Sequence, residues 1–479
     1  MKKLLNLVIM TTVCTILFTG CTLEKKPVSK TNIKYPVINN ESKFSLNDKI
    51  YFLMVDRFND ASVENNIETN KNVKTTFHGG DILGVKEKLD YIKSMGFTAI
   101  WITPVVDNDL GGYHGYWAKD FYNVDENFGT IEDLKELTQE AHKKGIKIIL
   151  DYVVNHTGPK SDLLTDGKHE NWFHYKKIIN DYTNKEEVED GWLAGLPDLN
   201  TENPDVRKYL IDNAIWWIKE TNVDGFRLDT VRHVPESFWN EFSYKIKEQY
   251  PDFYMIGEVW DSNVDTLEKY HELGLDGLLD YSLYYGIKDT FKDGGFVTKL
   301  LKAIENDKKF KDPSLNGIFI DNHDNARYFS LVRYNVNYLK EALTFMYSYP
   351  EIPIVYYGTE IPMKGGNDPD NRKDMQWNKV KDSKIIPYIK MLNSFRDKYV
   401  SNFKVVANDN KFIAYEVSKG NSKALVISNV YNGEKNISFE YKAKSLINYE
   451  TKEDLSKYLV NGKITMTLKE SENIILIVK

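Results

Sequence analysis

The strongest constraint on the fold is a set of four short strand-like segments, each followed within two residues by an acid. Three are apolar runs, Ile146 to Leu150 before Asp151, Phe253 to Ile256 before Glu258, and Gly317 to Ile320 before Asp321, and the fourth is the alternating segment Phe226 to Leu228 before Asp229. Apolar runs of this length predict buried strands. In a closed parallel barrel the carboxyl ends of the strands converge on one face. We therefore predict an α/β fold, a (β/α)8 TIM barrel, with these acids gathered on that face.

The segment from Asp224 to His233 shows the pattern most clearly. After an Asp-Gly turn pair, Phe226 and Leu228 fall on one face of a strand, and Arg227 and Asp229 fall on the other. A guanidinium and a carboxylate on a buried face need partners. Taken alone, the pair fits an internal ion pair at a strand end. Together with the other acids it indicates a site where carboxylates meet, as cleavage of a glycosidic bond requires.

In order along the chain, four segments resemble the four signature regions of the α-amylase family, glycoside hydrolase family 13. They are Asp151 to His156, Asp224 to His233, Ile256 to Trp260 and Phe319 to Asp324. The resemblance runs from about Lys49 to the C-terminus. It implies a TIM barrel with a small inserted domain B after strand 3 and a C-terminal antiparallel β-sandwich.

The pattern of apolar runs and turns predicts a division of the chain into successive parts. We predict a signal peptide over 1–21, a flexible tether over 22–45, the catalytic barrel over 46–400 with the domain B insertion at 156–203, and the β-sandwich over 401–479. Helices are predicted at Val85 to Ser94, Ile131 to Lys144, Pro204 to Thr221 and Ile385 to Lys398. After residue 400, runs split by Asn-Gly and Gly-Asn turns predict antiparallel strands at Lys411 to Val417, Lys423 to Val430, Lys463 to Leu468 and Asn473 to Val478.

The first residues have the pattern of an export signal. Lys2 and Lys3 precede an apolar run that ends at Phe18, which is short for a membrane span. The sequence then reaches Cys21 and resembles a bacterial lipoprotein signal. This resemblance predicts lipidation of Cys21, export, and anchoring at the cell surface through a lipid in the membrane. An ordinary secretory cleavage that leaves Cys21 unmodified is the alternative.

The resemblance assigns catalytic roles to three acids. It implies that Asp229 attacks the anomeric carbon, that Glu258 acts first as acid and then as base, and that Asp324 binds sugar hydroxyls. We expect nearby negative charge to keep Glu258 protonated, and Arg227 to keep Asp229 ionised. The alternative for any one of these acids is a buried structural ion pair.

Further residues are expected to contact the sugar. His156, His233 and His323 each lie beside a signature acid, and imidazole groups donate to hydroxyls. The resemblance places His156 and His323 around the cleaved glucose and Tyr116 under it. The full set of predicted substrate contacts is Arg227, His156, His323, Tyr116, His114, Asp368, Arg372, Arg232 and His233.

Two calcium sites are implied by the same resemblance. The first would join domain B to the barrel through Asn155, Asp198 and the carbonyl of His233. The second would be built from Asp60, Asn65, Asn66, the Gly79 carbonyl and Asp81. Calcium takes carboxylate, amide and carbonyl oxygens as ligands, which fits both sets.

Composition narrows the class of ligand. The 70 acidic residues outnumber the 63 Lys and Arg residues, and a net charge of -7 argues against a nucleic-acid partner. We predict a monomeric α-amylase that cleaves internal α-1,4 bonds of starch-like glucans. Alternatives of the same fold are a cyclomaltodextrinase or neopullulanase, an α-glucosidase and a glucanotransferase. A surface protein that binds glucan without catalysis is the alternative from another class.

Overall fold

The computed structural model describes residues 34–67 and 69–479. The predicted signal peptide and Cys21 lie outside the described residues. Within the described part of the chain, no helix combines the length and the apolar character that crossing a membrane requires.

Eight parallel strands form the barrel. They are Ile50–Leu53, Ala99–Ile102, Lys147–Tyr152, Gly225–Leu228, Tyr254–Gly257, Gly277–Leu278, Gly317–Phe319 and Ile352–Tyr356. Numbered along the chain, they lie in the order 6-5-4-3-2-1-8-7. A parallel bridge from Leu279 to Gly317 links the sixth strand to the seventh and closes the ring. The predicted TIM barrel is confirmed.

Helices alternate with the strands and cover the barrel. Their bounds are Val55–Phe58, Ile82–Glu87, Leu89–Met95, Ile131–Lys143, Asp162–Thr165, Lys185–Asp190, Pro204–Thr221, Glu236–Gln249, Val264–His271, Tyr281–Thr290, Val297–Asp307, Tyr328–Leu331, Val336–Ser348 and Ile385–Tyr399. The barrel strands are buried on both faces, because helices cover the outside and side chains fill the inside.

Local chemistry explains where two long helices begin. Thr130 caps the helix Ile131–Lys143, and its side chain and that of Asp133 satisfy each other's backbone N–H groups. The helix Pro204–Thr221 starts with a proline at its first position after the capping side chain of Asn203. It ends at Asn222 in the left-handed conformation.

Two excursions leave the barrel on the face that holds the signature acids. A hairpin of Val106–Asn108 and Ala118–Val124 follows the second barrel strand. After the third barrel strand, a polar segment with short helices folds back on itself through bridges from His156 to Asp198 and from Phe173 to Leu199. This second excursion lies where domain B was predicted.

The C-terminal part contains two antiparallel sheets. The larger has the strand order Asn402–Asn408, Phe412–Lys419, Ser422–Asn429, Asn473–Val478, Leu446–Asn448, and the smaller has the order Lys435–Glu440, Lys463–Leu468, Leu459–Val460. A separate apolar core lies between the sheets. The larger sheet packs on the barrel, where Asn473 donates to Thr344 Oγ1 at 2.6 Å.

The structure corrects two predicted segments. The helix expected over Val85 to Ser94 is two helices that meet at Lys88, whose backbone is not helical. The tether expected over 22–45 is wrong for its described part: Phe44 is 2% exposed and stacks on Tyr254 at 4.3 Å. Tyr35 also donates its backbone N–H to Asn240 at 2.8 Å. The free energy gained by burying Phe44 holds this segment on the barrel although its other residues are mostly polar.

A buried acidic cluster gives a stability prediction. Asp280, Asp307 and Glu351 are at most 3% exposed, and their carboxylate oxygens lie within 4.8 Å of one another. Burial, followed by the charge of Asp307, raises the pKa of Asp280 to about 8 from 3.8. The unfolded carboxyl ionises above pH 3.8 while the folded one keeps its proton, so the stability it contributes at low pH is lost as the pH rises toward 8.

We therefore expect Asp280→Asn to raise the melting temperature at pH 8.5 by about 2 °C or more, and to change it less at pH 5. Asparagine retains the cap that Asp280 Oδ1 forms with Leu283 N. Thermal melts at both pH values would check this, with the exposed Asp312→Asn as control. An equal shift at both pH values would reject the proton linkage.

Candidate active site

A cleft of about 760 Å³ opens at the carboxyl ends of the barrel strands. It lies between the barrel and the domain B excursion. Its walls include all three predicted catalytic acids and most predicted sugar contacts. The lining residues are His114, Tyr116, Trp117, His156, Tyr182, Leu193, Ala194, Leu196, Asp229, Thr230, Arg232, His233, Glu258, Trp260, His323, Asp324, Asp368 and Arg372.

Arg227 is buried behind the lining of this cleft and contacts three carboxylates. Its Nη1 lies 2.6 Å from Asp229 Oδ1 and 3.0 Å from Asp151 Oδ1. Its Nη2 lies 2.6 Å from Glu258 Oε1. The guanidinium is 0% exposed, so these ion pairs are not screened by solvent. A planar fork with fixed donors thus sets the relative positions of Asp229 and Glu258.

The backbone after Asp229 is strained. Thr230 adopts φ 46° and ψ 40°, in the left-handed region that a β-branched residue seldom occupies. A short 3-10 turn, Val231–His233, follows at once. The strain turns the chain sharply at the strand end, and it brings Thr230 N within 3.4 Å of Glu258 Oε2.

Glu258 is oriented mainly through one of its two oxygens. Oε1 accepts from Trp260 Nε1 at 3.0 Å and from the Tyr281 hydroxyl at 3.3 Å. It is also the oxygen that pairs with Arg227. Within the described residues, Oε2 has a single, long hydrogen bond, which it accepts from Thr230 N at 3.4 Å. The more weakly bound oxygen is therefore the better placed to carry a transferable proton.

Burial changes the proton affinity of this carboxylate cluster. It raises the pKa of Asp229 well above 3.8; Arg227 opposes this, and the charges of Glu258, Asp151 and Asp324 add to it. Burial likewise raises the pKa of Asp151 to about 6, with Arg227 opposing. Arg227 lowers the pKa of Asp229 as expected, but burial outweighs it, because one guanidinium is shared by three acids.

Asp324 lies on the opposite wall of the cleft with a second arginine. Arg372 Nη2 is 3.1 Å from Asp324 Oδ1, and Arg372 Nη1 is 3.2 Å from Asp368 Oδ1. Arg372 Nε also donates to the His323 carbonyl at 2.8 Å. These contacts join the loop after the seventh strand to the loop after the eighth. Asp324 and Asp368 remain partly exposed and face the cleft.

The predicted aromatic and histidine contacts surround the same space. Tyr116 donates its hydroxyl to Asp151 Oδ2 at 2.7 Å, and its ring is stacked on His323 at 5.2 Å. His156 Nε2 lies 3.2 Å from the Tyr116 carbonyl, and His114 Nδ1 accepts from Tyr116 N at 3.1 Å. Burial lowers the pKa of His156 to about 4 and also lowers the pKa values of His114 and His323. These imidazoles are therefore neutral at pH 7.

Arg232 and His233 lie in the turn after the fourth barrel strand and contact the domain B excursion. Arg232 Nη2 donates to the Tyr182 carbonyl, and His233 Nδ1 is 3.2 Å from the Val188 carbonyl. Burial lowers the pKa of His233. Both residues line the cleft, and their polar atoms contact the protein backbone.

Three site residues were missed as functional candidates. Asp151 has the sequence pattern of a strand-end acid, yet it lies inside the strand Lys147–Tyr152 and accepts from Trp101 Nε1 at 3.1 Å. Trp260 and Tyr281 orient Glu258, as described above. The sequence could have indicated Trp260, because it lies two residues after Glu258. Tyr281 lies on a helix whose sequence has no feature that distinguishes it from other buried helices.

In the described part of the chain, one carboxylate oxygen at the first predicted calcium site lacks a hydrogen-bond partner. Asp198 is 1% exposed; Oδ2 lies 2.6 Å from His174 Nδ1, but the buried Oδ1 has no hydrogen-bond partner among residues 34–67 and 69–479. Burial raises the pKa of Asp198 to about 7. Asn155 is close enough to oppose this rise in pKa, and its Nδ2 lies 3.3 Å from His156 Nδ1. A buried carboxylate and an amide side by side fit a calcium ion.

The second predicted site fits a cation less well. Asn65 Oδ1 is buried and unpartnered within the described chain, and a Cβ on Gly79 would lie 2.2 Å from Asn66 Oδ1. However, Lys71 Nζ already lies 3.0 Å from Asp60 Oδ2. Asp81 is used as a helix cap, since Oδ1 accepts from Gly84 N and Oδ2 accepts from Ser62 N. The five predicted ligands are brought together, but both acids among them, Asp60 and Asp81, already have other partners.

Comparison with known proteins identifies the family. Residues 52–419 match the family described as "Alpha amylase, catalytic domain". A beta/alpha-amylase of Paenibacillus polymyxa is 36% identical over 454 residues, which cover 88% of this chain and 37% of that protein. The chain thus spans little more than a third of the length of that relative. A cyclomaltodextrinase of Geobacillus thermopakistaniensis is 30% identical and matches 79% of this chain and 67% of its own length.

Solved structures show the same architecture. The α-amylase of Geobacillus thermoleovorans in complex with acarbose has a TM-score of 0.84 and 38% identity, covering 91% of this chain and 99% of that one. A cyclomaltodextrin glucanotransferase, CldA, has a TM-score of 0.81 and 29% identity, covering 92% and 100%. With the carboxylates, the barrel and the family match in agreement, the chain belongs to the α-amylase family of glycoside hydrolases, enzymes that act on glucans.

Proposed function

We propose that the chain is a retaining α-amylase that cleaves internal α-1,4-glucosidic bonds of starch-like glucans and maltooligosaccharides. The observation that carries this is the sharing of Arg227 by Asp229 and Glu258. Carboxyls on the two arms of one guanidinium are close together, and a retaining enzyme needs its pair only about 5 to 5.5 Å apart.

The proposed mechanism gives each carboxylate oxygen of Asp229 and Glu258 a separate role, according to its contacts. Arg227 holds Asp229 Oδ1, which leaves Oδ2 to attack the anomeric carbon as the bond to the leaving sugar oxygen breaks. Glu258 gives that oxygen its proton from Oε2. The glycosyl ester on Asp229 is then hydrolysed by a water whose proton passes to Glu258, which restores both side chains. Asp324, with Arg372 behind it, binds sugar hydroxyls opposite the pair.

Product analysis tests the substrate assignment. We expect soluble starch to give shortened oligosaccharides with the α anomer formed first, and cyclodextrin and pullulan to be cleaved far more slowly. Anomer analysis by NMR and chromatography of the products would measure both. Release of the β anomer would reject the retaining mechanism.

A second activity is suggested by the names of two similar proteins. Relatives of this chain include a cyclomaltodextrinase and a cyclomaltodextrin glucanotransferase. The same acids serve hydrolysis and transfer, because either water or a sugar hydroxyl can accept the glycosyl group from the intermediate. Rapid ring opening of cyclodextrin, or cyclic products from starch, would favour this assignment over α-amylase.

We also propose that calcium occupies the site of Asn155, Asp198 and the His233 carbonyl. The ion would neutralise Asp198 Oδ1 and stabilise domain B against the barrel, without a part in bond cleavage. The site of Asp60, Asn65, Asn66, Gly79 and Asp81 is proposed as a weaker second position.

Chelation is therefore expected to lower the melting temperature by about 5 °C, as loss of a ligand bound only to the folded state requires. Differential scanning calorimetry with EDTA and with added calcium would measure this. Asp198→Asn should abolish the response, whereas Asp181→Asn, an exposed acid of the same excursion, should leave it intact. An unchanged melt of the parent protein in EDTA would contradict the site.

Localisation and assembly remain predictions from the sequence. We propose that the exported chain is anchored at the cell surface through a lipid on Cys21 and acts as a monomer. Cell fractionation of Cys21→Ala would test the anchor, since an unlipidated protein is expected in the medium. Light scattering of the purified protein would measure the oligomeric state.

A further inference from the structure

A second cavity lies on the outside of the molecule, against the helix Pro204–Thr221. Its volume is about 470 Å³, and it shares no lining residue with the catalytic cleft. One wall comes from the domain B excursion and the other from the helix. We call it the Trp172 groove; its lining residues are Lys168, His169, Asn171, Trp172, Asp205, Lys208, Tyr209 and Asp212.

Aromatic rings follow one another along this surface. The centroids of Trp172 and Tyr209 are 5.2 Å apart, and His169 lies 4.2 Å from Trp172. Beyond the groove the row continues from Tyr209 to Tyr122 at 5.5 Å and on to Trp216 at 5.3 Å. All of these rings are partly exposed. Neighbouring rings meet at 60° to 72°, so each presents a partly exposed edge or face at a different point along the surface. Such a row suits an extended ligand better than a single small molecule.

The tryptophan and tyrosine rings pack against the apolar core and are carried on ordered backbone. The Trp172 carbonyl accepts from Asn200 N at 2.8 Å, and Tyr209 lies within an eighteen-residue helix. Tyr122 comes from the hairpin strand Ala118–Val124, so three different elements support the row. Ordered rings lose little conformational freedom on binding.

The polar lining indicates a neutral ligand. Two lysines, Lys168 and Lys208, are balanced by two aspartates, Asp205 and Asp212, and Lys208 pairs with Asp212. This balance disfavours a nucleic acid, a phosphate or an acidic peptide, because none of them would find an excess of positive charge. Carboxylates, ammonium groups and the Asn171 amide around aromatic rings instead match a ligand rich in hydroxyl groups.

We infer that the Trp172 groove binds a neutral α-glucan chain at a site separate from the catalytic cleft. The inference rests on the proposed function for the choice of α-glucan as the polysaccharide. Such a site holds the enzyme on a large or insoluble substrate while the cleft acts on one segment. It adds nothing to the cleavage of oligosaccharides too short to reach both places.

Adsorption to starch granules tests the groove directly. The catalytically disabled Glu258→Gln protein is used so that granules are not digested, and Tyr209→Ala or Trp172→Ala is added to it. We expect about fivefold to tenfold weaker adsorption, the loss of one stacked ring contact. Tyr175→Ala, which removes an aromatic side chain that is 84% exposed on the same excursion but outside the groove, should adsorb as the parent does.

Activity of the otherwise intact enzyme separates this inference from the proposed function. Tyr209→Ala is expected to hydrolyse maltoheptaose within twofold of the parent and to lose activity on granules in proportion to adsorption. If Trp172→Ala does not fold, Tyr209→Ala on the helix surface carries the test. Unchanged adsorption of folded Tyr209→Ala would contradict glucan binding in the Trp172 groove. Absence of maltoheptaose hydrolysis in the parent would instead overturn the proposed function.

Discussion

Asp229→Asn and Glu258→Gln are each expected to lower kcat on maltoheptaose by about 10⁴-fold. An amide in place of the Asp229 carboxylate is not a nucleophile, and an amide in place of the Glu258 carboxyl has no proton to donate to the leaving oxygen. Both substitutions preserve the shape of the side chain, so an oxygen can still accept from Arg227 Nη1 in Asp229→Asn and still lie beside Nη2 in Glu258→Gln. Steady-state assays with reducing-sugar detection would measure the loss.

The two variants are distinguished by their substrates. A substrate with a good leaving group does not need protonation, so Glu258→Gln should recover most of its first-step rate on an activated maltosyl aryl glycoside, whereas Asp229→Asn should not. Circular dichroism and thermal melts serve as controls for folding. Collapse of the folded state in either variant would show that the carboxylate has a structural role, and equal recovery of both would contradict the assigned roles.

Arg227→Lys is expected to lower kcat by about 10²-fold to 10³-fold although the positive charge is retained. An ammonium group is a compact donor and cannot span Asp151, Asp229 and Glu258 as the planar fork does. Loss of the fork removes the fixed spacing of the catalytic pair, and small displacements of reacting groups have large effects on rate. Steady-state kinetics should show the effect in kcat more than in KM.

Arg227→Met should be more severe for folding, because it leaves three buried carboxylates without a cation at a cost of about 3 to 5 kcal/mol. The matched control is Arg207→Lys, which changes an arginine outside the cleft that pairs with Glu241 at 3.0 Å. Arg207→Lys should keep parental activity. Full activity of Arg227→Lys would mean that the two acids are positioned by other contacts.

Local sequence signals predicted the first and last residues of some elements. The helix Pro204–Thr221 and the strands Lys463–Leu468 and Asn473–Val478 have the predicted bounds. Each has a short-range signal: a proline after a capping asparagine in the helix, strict alternation in Lys463–Leu468, and a continuous apolar run in Asn473–Val478. The break at Lys88 had no such signal, because neither glycine nor proline marks it.

The site was predictable as a set of residues but not as an arrangement. The signature segments identified Asp229, Glu258 and Asp324, yet nothing local shows that one guanidinium joins two of them to Asp151. That network needs Trp101 and Tyr116, which arrive from the second strand and its hairpin loop. The burial of Phe44 on Tyr254 depends on a contact across more than two hundred residues, which periodicity cannot reveal.

The tight bend at Thr230 has a wider consequence. From Asp229 the chain passes through a single unfavourable torsion into Val231–His233, so the nucleophile and the carbonyl offered to calcium are separated by only three residues. Loss of the proposed calcium ion would let the His233 carbonyl move, and the short turn between it and Asp229 would carry part of that movement to Asp229. We therefore expect activity to fall at milder chelation than the folded state melts, so that the ion would support the position of the nucleophile indirectly as well as join domain B to the barrel.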